Sequence, residues 1–314
     1  MRLIAGARVL TRGDGVLQVG VRDPLIVSDL SLHERRFLER LDTAANISLA
    51  DQTRYARLVT RLVTAGLIEQ DAPRSRDPAP RATINDGGPV GCGIGLALAR
   101  AGWAVAIDDD GRAVETPRGT YDPGSLAATR QAAAADTIRR VLPHADVHAG
   151  RERSDVSIIV SHGAPLIEAA VALMAGDVPH LYVTTDERGA QVGPVVIPGR
   201  SACGVCAGLM RTLADPLWPV LSLQLTAGRP LALCGPDTAA QAVALVAGAL
   251  EWWRSSGGRS TGSAPGWLDT LWTIDRHRPP HATAVAPHPD CGCGATGPVG
   301  DELAARRARM PGAS

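Results

Sequence analysis

The sequence predicts an α/β protein, a parallel sheet with helices on both faces, preceded by a small α+β module. Three observations carry this. Apolar strand-like runs alternate with helical stretches through residues 82–185. Strands, then helices, then a strand fill residues 1–70. Between the two lies DAPRSRDPAPR, residues 71–81, with the Pro/Arg composition of a linker. At 314 residues and 45% hydrophobic, the chain suffices for one large domain or two ordinary ones.

In the first module VLTR and VLQVGV alternate as short strands around the turn GDG, residues 13–15, and IVSDL, 26–30, reads as a third strand. Ser31 and Glu34 form a capping-box pattern that opens a helix to about Leu41. A second helix is expected from about Asp51 to Ala65, stopped at Gly66. Leu58, Val59, Leu62 and Val63 line its apolar side, and Arg54, Arg57 and Arg61 share another. LIEQD reads as a closing strand, which gives a winged-helix-like layout.

The second domain, expected over 82–294 with a tail at 295–314, begins with the strand ATIND. The turn GGPVGCGIG and the helix LALARAG follow, then the strand AVAIDDD with acids at its end. An Ala-rich helix is expected at 125–141, a buried strand at SDVSIIV (154–160), a helix at 165–175 and a strand at HLYVTT (180–185). Two further helices fall near 204–213 and 238–254, and WLDTLWTIDR reads as a strand after the Gly/Ser-rich loop 255–266.

The formal net charge is zero, which points to neither a nucleic-acid nor a membrane partner. All 32 basic residues are arginine, so no lysine is available to grip a phosphate or form a Schiff base. The first residues, MRLIAGARVLTRGDG, lack a signal-peptide layout. The longest apolar stretch, 238–250, is well short of the ~20 residues of a membrane span. A cytoplasmic protein is expected, and in a reducing cytosol paired cysteines more often bind metal than form disulfides.

Such pairs are Cys203 with Cys206, in RSACGVCAG, and Cys291 with Cys293, in PHPDCGCGATG. Zinc takes four thiolates in a tetrahedron, and each pair can present two. The expectation is one structural Zn²⁺ site that staples the C-terminal segment to the middle of the domain. Four unrelated thiols, or a redox C-x-x-C pair, are the competing readings. His288 is either a spare ligand or a plain loop residue. Cys92 and Cys234 read as ordinary buried thiols. The Gly-rich turn sits between strand and helix, where a phosphate cradle belongs. Asp108 to Asp110 end the next strand, where a ribose-binding acid would sit. Close strand–helix packing and a solvated acidic turn explain the same residues equally well.

Taken in order, the strand and Gly turn, AIDDD, GTYDPGSLAATRQAAAADTIRRVLP, SIIVSHG, VPHLYVTT, VIPGRSACGVC and HPDCGC resemble the ThiF/E1 family of ATP-dependent adenylating enzymes over roughly residues 80–294. The resemblance implies a Rossmann-like E1/ThiF sheet and a retained zinc site. Of the family's Gly-rich turn only Gly88 and Gly91 match; Asp86 and Pro89 stand where glycines belong. The family's phosphate lysine aligns near Arg130 or Thr129, and Arg118 stands for its arginine finger. Its magnesium-binding aspartate falls in Ser161-His162-Gly163, where there is no carboxylate. A carboxylate at 86 repels an incoming phosphate. Weak or absent ATP/Mg²⁺ binding and adenylation are therefore expected.

This degraded pattern resembles the ThiF-like partners of YcaO-type cyclodehydratases, which act on thiazole/oxazole-modified (TOMM) peptides. The resemblance implies a non-catalytic scaffold whose residues 1–70 are a RiPP recognition element. A precursor leader peptide would add as a strand beside IVSDL, with the helix 51–65 as the opposite wall. It also implies a YcaO-type partner and, by analogy alone, a homodimer. Two other readings stay open. One is an active adenylyltransferase in which Asp108 and Asp110 hold ribose or magnesium. The other is a DNA-binding regulator using Arg54, Arg57 and Arg61, against which the neutral charge weighs.

Overall fold

A computed structural model describes residues 1–13, 15–43, 46–69, 78–121, 123–125, 128–228, 230–256 and 266–295. The chain divides into two compact units, Met1–Pro78 and Ala79–Ser314. Residues 71–77 of the expected linker and 296–314 of the expected tail lie outside the described residues.

In the first unit β1 (Arg2–Leu3) precedes β2 (Val9–Gly13), β3 (Val16–Val19) and β4 (Leu25–Val27). The last three form an antiparallel sheet in the order β2-β3-β4. Alternation holds in β3, where Leu17 and Val19 are buried. The third strand is shorter than expected: it ends at Val27, and Asp29 adopts a left-handed φ of 56°. Helix α1 (Leu32–Leu41) starts with the full capping box between Ser31 and Glu34.

The single helix expected over 51–65 is two helices, α2 (Leu49–Arg54) and α3 (Ala56–Thr64). A second capping box, Ser48 with Asp51, opens α2. The chain breaks at Tyr55 (φ −114°, ψ 32°), whose ring stacks on Phe37 at 4.3 Å. Helix α3 buries Leu58, Val59 and Leu62 against Phe37, Leu38 and Leu41, whereas Val63, expected on that side, is exposed. Strand β5 (Ile68–Glu69) closes antiparallel on β1.

The second unit runs β6 (Arg81–Ile84), α4 (Pro89–Arg100), β7 (Ala104–Ile107), α5 (Arg130–Val141), β8 (Val147–Ala149), β9 (Val156–His162), α6 (Ile167–Ala175) and β10 (His180–Thr185). It continues with β11 (Gly189–Val196), α7 (Gly204–Ala214), α8 (Trp218–Thr226), α9 (Pro236–Ser256), β12 (Thr270–Asp275) and β13 (Arg278–Ala284). The eight-stranded sheet has the order β13-β12-β11-β10-β9-β6-β7-β8. The neighbours β10-β9-β6-β7-β8 pair in parallel. Strands β11, β12 and β13 extend it antiparallel, so the sheet is mixed rather than wholly parallel.

Side chains alternate between the faces of this sheet. Ile158, Val160, Leu181 and Val183 join the core under α4, α5 and α9. Ile159 and Tyr182 join a second core with Ala170 of α6 and Cys206 of α7. Helices thus cover both faces, as the parallel βαβ crossovers require.

Candidate functional site

The two cysteine pairs meet. Cys203 is the N-cap of α7 and Cys206 lies in its first turn. The loop before them is set by Ser201, whose hydroxyl accepts from the Ile197 amide at 2.8 Å and donates to the Val195 carbonyl at 3.2 Å. At Gly204 a Cβ would come within 2.5 Å of the Tyr182 hydroxyl oxygen, so a larger residue there would force Tyr182 to shift. Cys291 and Cys293 follow β13 in a turn that ends at Gly294, whose φ of +77° suits glycine.

The Sγ separations are 3.8 Å for Cys203–Cys206, 3.6 Å for Cys203–Cys291 and 3.6 Å for Cys206–Cys293. All four Sγ atoms lie within 4.8 Å of one another. A tetrahedron with metal–sulfur bonds of ~2.3 Å has edges of about 3.8 Å, so this set can hold one metal ion. Cys203, Cys206 and Cys291 are buried and Cys293 is half-buried. The Cys203 thiol points at Cys206, which pulls the Cys206 pKa down to about 4 and pushes that of Cys203 up. The Cys206 sulfur also accepts the His288 backbone amide at 3.3 Å, and the His288 ring instead accepts the Asp290 amide at Nδ1. His288 supports a cysteine through its backbone.

A second feature is a cleft of about 1460 Å³ at the carboxyl ends of β6, β7 and β9, lined by residues including Asn85, Asp86, Asp108, Asp109, Asp110, Arg130 and His162. Its acidic corner is built from the Gly-rich segment, most of which is the first turns of α4 rather than a free loop, with Gly88 as N-cap. Asp86 Oδ1 accepts the Gly88 amide at 3.0 Å and Oδ2 accepts the Gly91 amide at 2.7 Å. Gly91 is obligatory, because a Cβ there would lie 1.9 Å from the Asp86 carbonyl oxygen. Burial pushes the Asp86 carboxyl up to about 6 against these two hydrogen bonds.

Of the three acids that follow β7, Asp109 is the one built into this corner. It is buried, whereas Asp108 is half-buried and Asp110 exposed. Its Oδ2 accepts the Gly87 amide and Arg130 Nε, each at 2.8 Å, and its Oδ1 accepts the Gly111 amide at 3.0 Å. That last bond is an Asx turn, and the D-D-G ending of IDDDG was its local signal. Arg130 also meets Glu115 at 3.4 Å, and its pKa is raised by the Asp109 hydrogen bond. Of the residues expected at a nucleotide, Asp108, Asp110 and Arg130 line the cleft. Gly88 and Gly91 sit behind Asp86, and Arg118 is exposed in a turn outside the lining. Ser161 and His162 line the cleft and hydrogen-bond Thr184 and Thr185 of the neighbouring strand. Cys92 and Cys234 lie apart from the metal set, each thiol pushed up to about 11 by burial.

No protein-family model and no curated protein matches the sequence. Solved structures do match the fold. E. coli MccB with selenomethionyl MccA superposes with a TM-score of 0.62 at 14% identity, covering 93% of this chain and 98% of that one. The heterocyclase TruD superposes with a TM-score of 0.56 at 14% identity over 100% of this chain, which spans 45% of TruD. A heterocyclase in complex with substrate and cofactor gives a TM-score of 0.58 at 12% identity, with 41% of its length covered. The chain therefore has the fold of MccB and of these heterocyclase proteins, the ThiF/E1-like fold that its sequence resembles.

Proposed function

We propose that this chain is a zinc-stabilised ThiF-like protein that binds a precursor leader peptide and presents it to a YcaO-type cyclodehydratase, without adenylating a substrate itself. The observation that carries the reading is the free edge of β4. Gly20 donates to the Arg8 carbonyl at 2.9 Å, so Leu10 and Gln18 form the next hydrogen-bonded pair of β2 and β3. Gln18 then turns its main chain toward β2, and Ile26, opposite it, turns its own outward. Among the described residues β4 pairs with β3 alone. Arg61 of α3 donates to the Ile26 carbonyl at 3.0 Å, which places α3 along that edge. An extended peptide can pair there by β-augmentation. MccB solved with MccA, and a heterocyclase solved with its substrate, support a peptide as the ligand class.

The four-cysteine set supports zinc, since four thiolates in a buried tetrahedron are its structural ligand set. The absence of adenylation is supported by Arg130, which Asp109 and Glu115 engage, and by Ser161-His162-Gly163 in place of a carboxylate. A homodimer is supported by the uncharged helix α8 and its neighbours, where Leu213, Leu217, Val220 and Leu223 are exposed.

The test is titration of the full chain with a fluorescein-labelled precursor peptide, sought as a short Cys/Ser/Thr-rich reading frame beside its gene. Micromolar or tighter binding is expected, lost when the leader half is removed. Ile26→Pro discriminates: it deletes only an outward amide of an edge strand, a position that tolerates proline. It should leave the melting temperature nearly unchanged and weaken the peptide at least ~10-fold. Equal affinity of Ile26→Pro and wild type, or no binding by wild type, refutes the reading.

A further inference from the structure

We propose that the anion site at the N-terminus of α4 is already filled by the chain's own Asp86 carboxylate, which sits as a built-in substitute for a phosphate and closes the cleft to phosphate-bearing ligands. The two oxygens of Asp86 take the Gly88 and Gly91 amides, the donors that a helix N-terminus would offer an external oxyanion. The Gly87 amide is taken by Asp109, and the Gly87 carbonyl by the Tyr121 hydroxyl. The nearby cation, Arg130, is spent on Asp109 and Glu115.

A phosphate arriving from the cleft thus meets two carboxylates at this turn, with the Gly87, Gly88 and Gly91 amides already engaged. Asp86 is 5% exposed and lines the cleft, so its side chain is what separates the amides from the open volume. This inference does not depend on peptide binding at β4. A chain that ignored every leader peptide would still carry the plug.

The experiment uses the full chain and three probes: inorganic phosphate, pyrophosphate and Mg·ATP. Calorimetric titration and thermal melting are read for wild type, Asp86→Gly and Asp86→Asn. Wild type should bind none of them at millimolar concentration. Asp86→Gly, which clears the amides, should bind at least one probe ~10-fold or more tighter and show a melting temperature that rises with its concentration. Asp86→Asn keeps the bulk and should behave as wild type toward the probes. Micromolar binding by wild type overturns the proposal, as does a folded Asp86→Gly whose melting temperature ignores all three probes.

Should Asp86→Gly fail to fold, the wild type alone decides by amide NMR. The Gly88 and Gly91 amides should shift together as Asp86 titrates, near pH 6. Its charged and titratable neighbours are Asp109 after β7, Arg130 of α5, Cys92 of α4, Cys234 before α9 and Tyr121. Of these Asp109 receives the Gly87 amide. Independent or absent titration of the Gly88 and Gly91 amides refutes the plug.

Discussion

Replacing Cys293 by serine removes one corner of the four-sulfur set while leaving the half-buried side chain nearly its own size. A bound metal acts as a cross-link between Cys203 and Cys291, 88 residues apart. Loop-closure entropy for a cross-link of that span amounts to about 15 cal/mol/K, or about 4.6 kcal/mol at 25 °C. Lost ligation weakens the metal as well, so the full loss applies once zinc leaves. For a unit of this size each kcal/mol shifts the melting temperature by ~2–4 °C, and a fall of about 10–18 °C is expected. The assay pairs zinc content per chain with thermal melting by circular dichroism, with Cys92→Ser as a control that leaves the zinc content unchanged. A Cys293→Ser protein that kept one zinc per chain and melted within ~2 °C of wild type would refute the structural-metal argument.

Asp86 makes stability depend on pH with a defined sign. Its folded pKa, about 6, lies above the ordinary 3.8, so it contributes stability while protonated and loses it as pH rises from about 4 through 6. The change is about 3 kcal/mol, and Asp86→Asn should remove that slope from denaturant melts run across the window. Ser48→Ala breaks the capping box of α2 and should cost about 1 kcal/mol, read by chemical denaturation of the N-terminal unit's tryptophan-free far-UV signal. Leu223→Glu places a charge on the apolar face of α8, where that side chain is 63% exposed. If that face pairs two copies, light scattering will show the wild type as a dimer and the variant as a monomer at micromolar concentration. An unchanged mass ends that assignment of the face.

The regular parts of this fold were readable because their signals are local. Ser31 and Glu34 announce α1 by a capping box, and HLYVTT is a strand with turn residues on both sides. The elements that escaped have signals that tertiary context overrides. Strand β11 contains Gly193 and Pro194, and β13 contains Pro279 and Pro280. Prolines are tolerated in β13 because it is an edge strand. Helix α8 carries no polar stripe for a period to reveal. The break at Tyr55 follows from its stacking on Phe37, a partner remote in sequence.

At the site, ligand type and spacing singled out the four cysteines. The acids were harder: Asp108, Asp109 and Asp110 are equivalent as letters, and only the Asx turn onto Gly111 turns Asp109 inward. Asp86 read as a repulsive charge, and its bonds to Gly88 and Gly91 became visible only once the helix start was placed at Pro89.

The four-sulfur set also orders events in time. Cys203 and Cys206 leave the ribosome long before Cys291 and Cys293, and two thiols alone cannot enclose an ion. A buried tetrahedral centre forms only after synthesis has passed residue 293. Chains that stop before residue 293 lack part of the four-thiol set, so metal retention would report on synthesis past that point. Quality control that removed chains failing to hold a metal would remove products truncated before residue 293 without recognising where they stop.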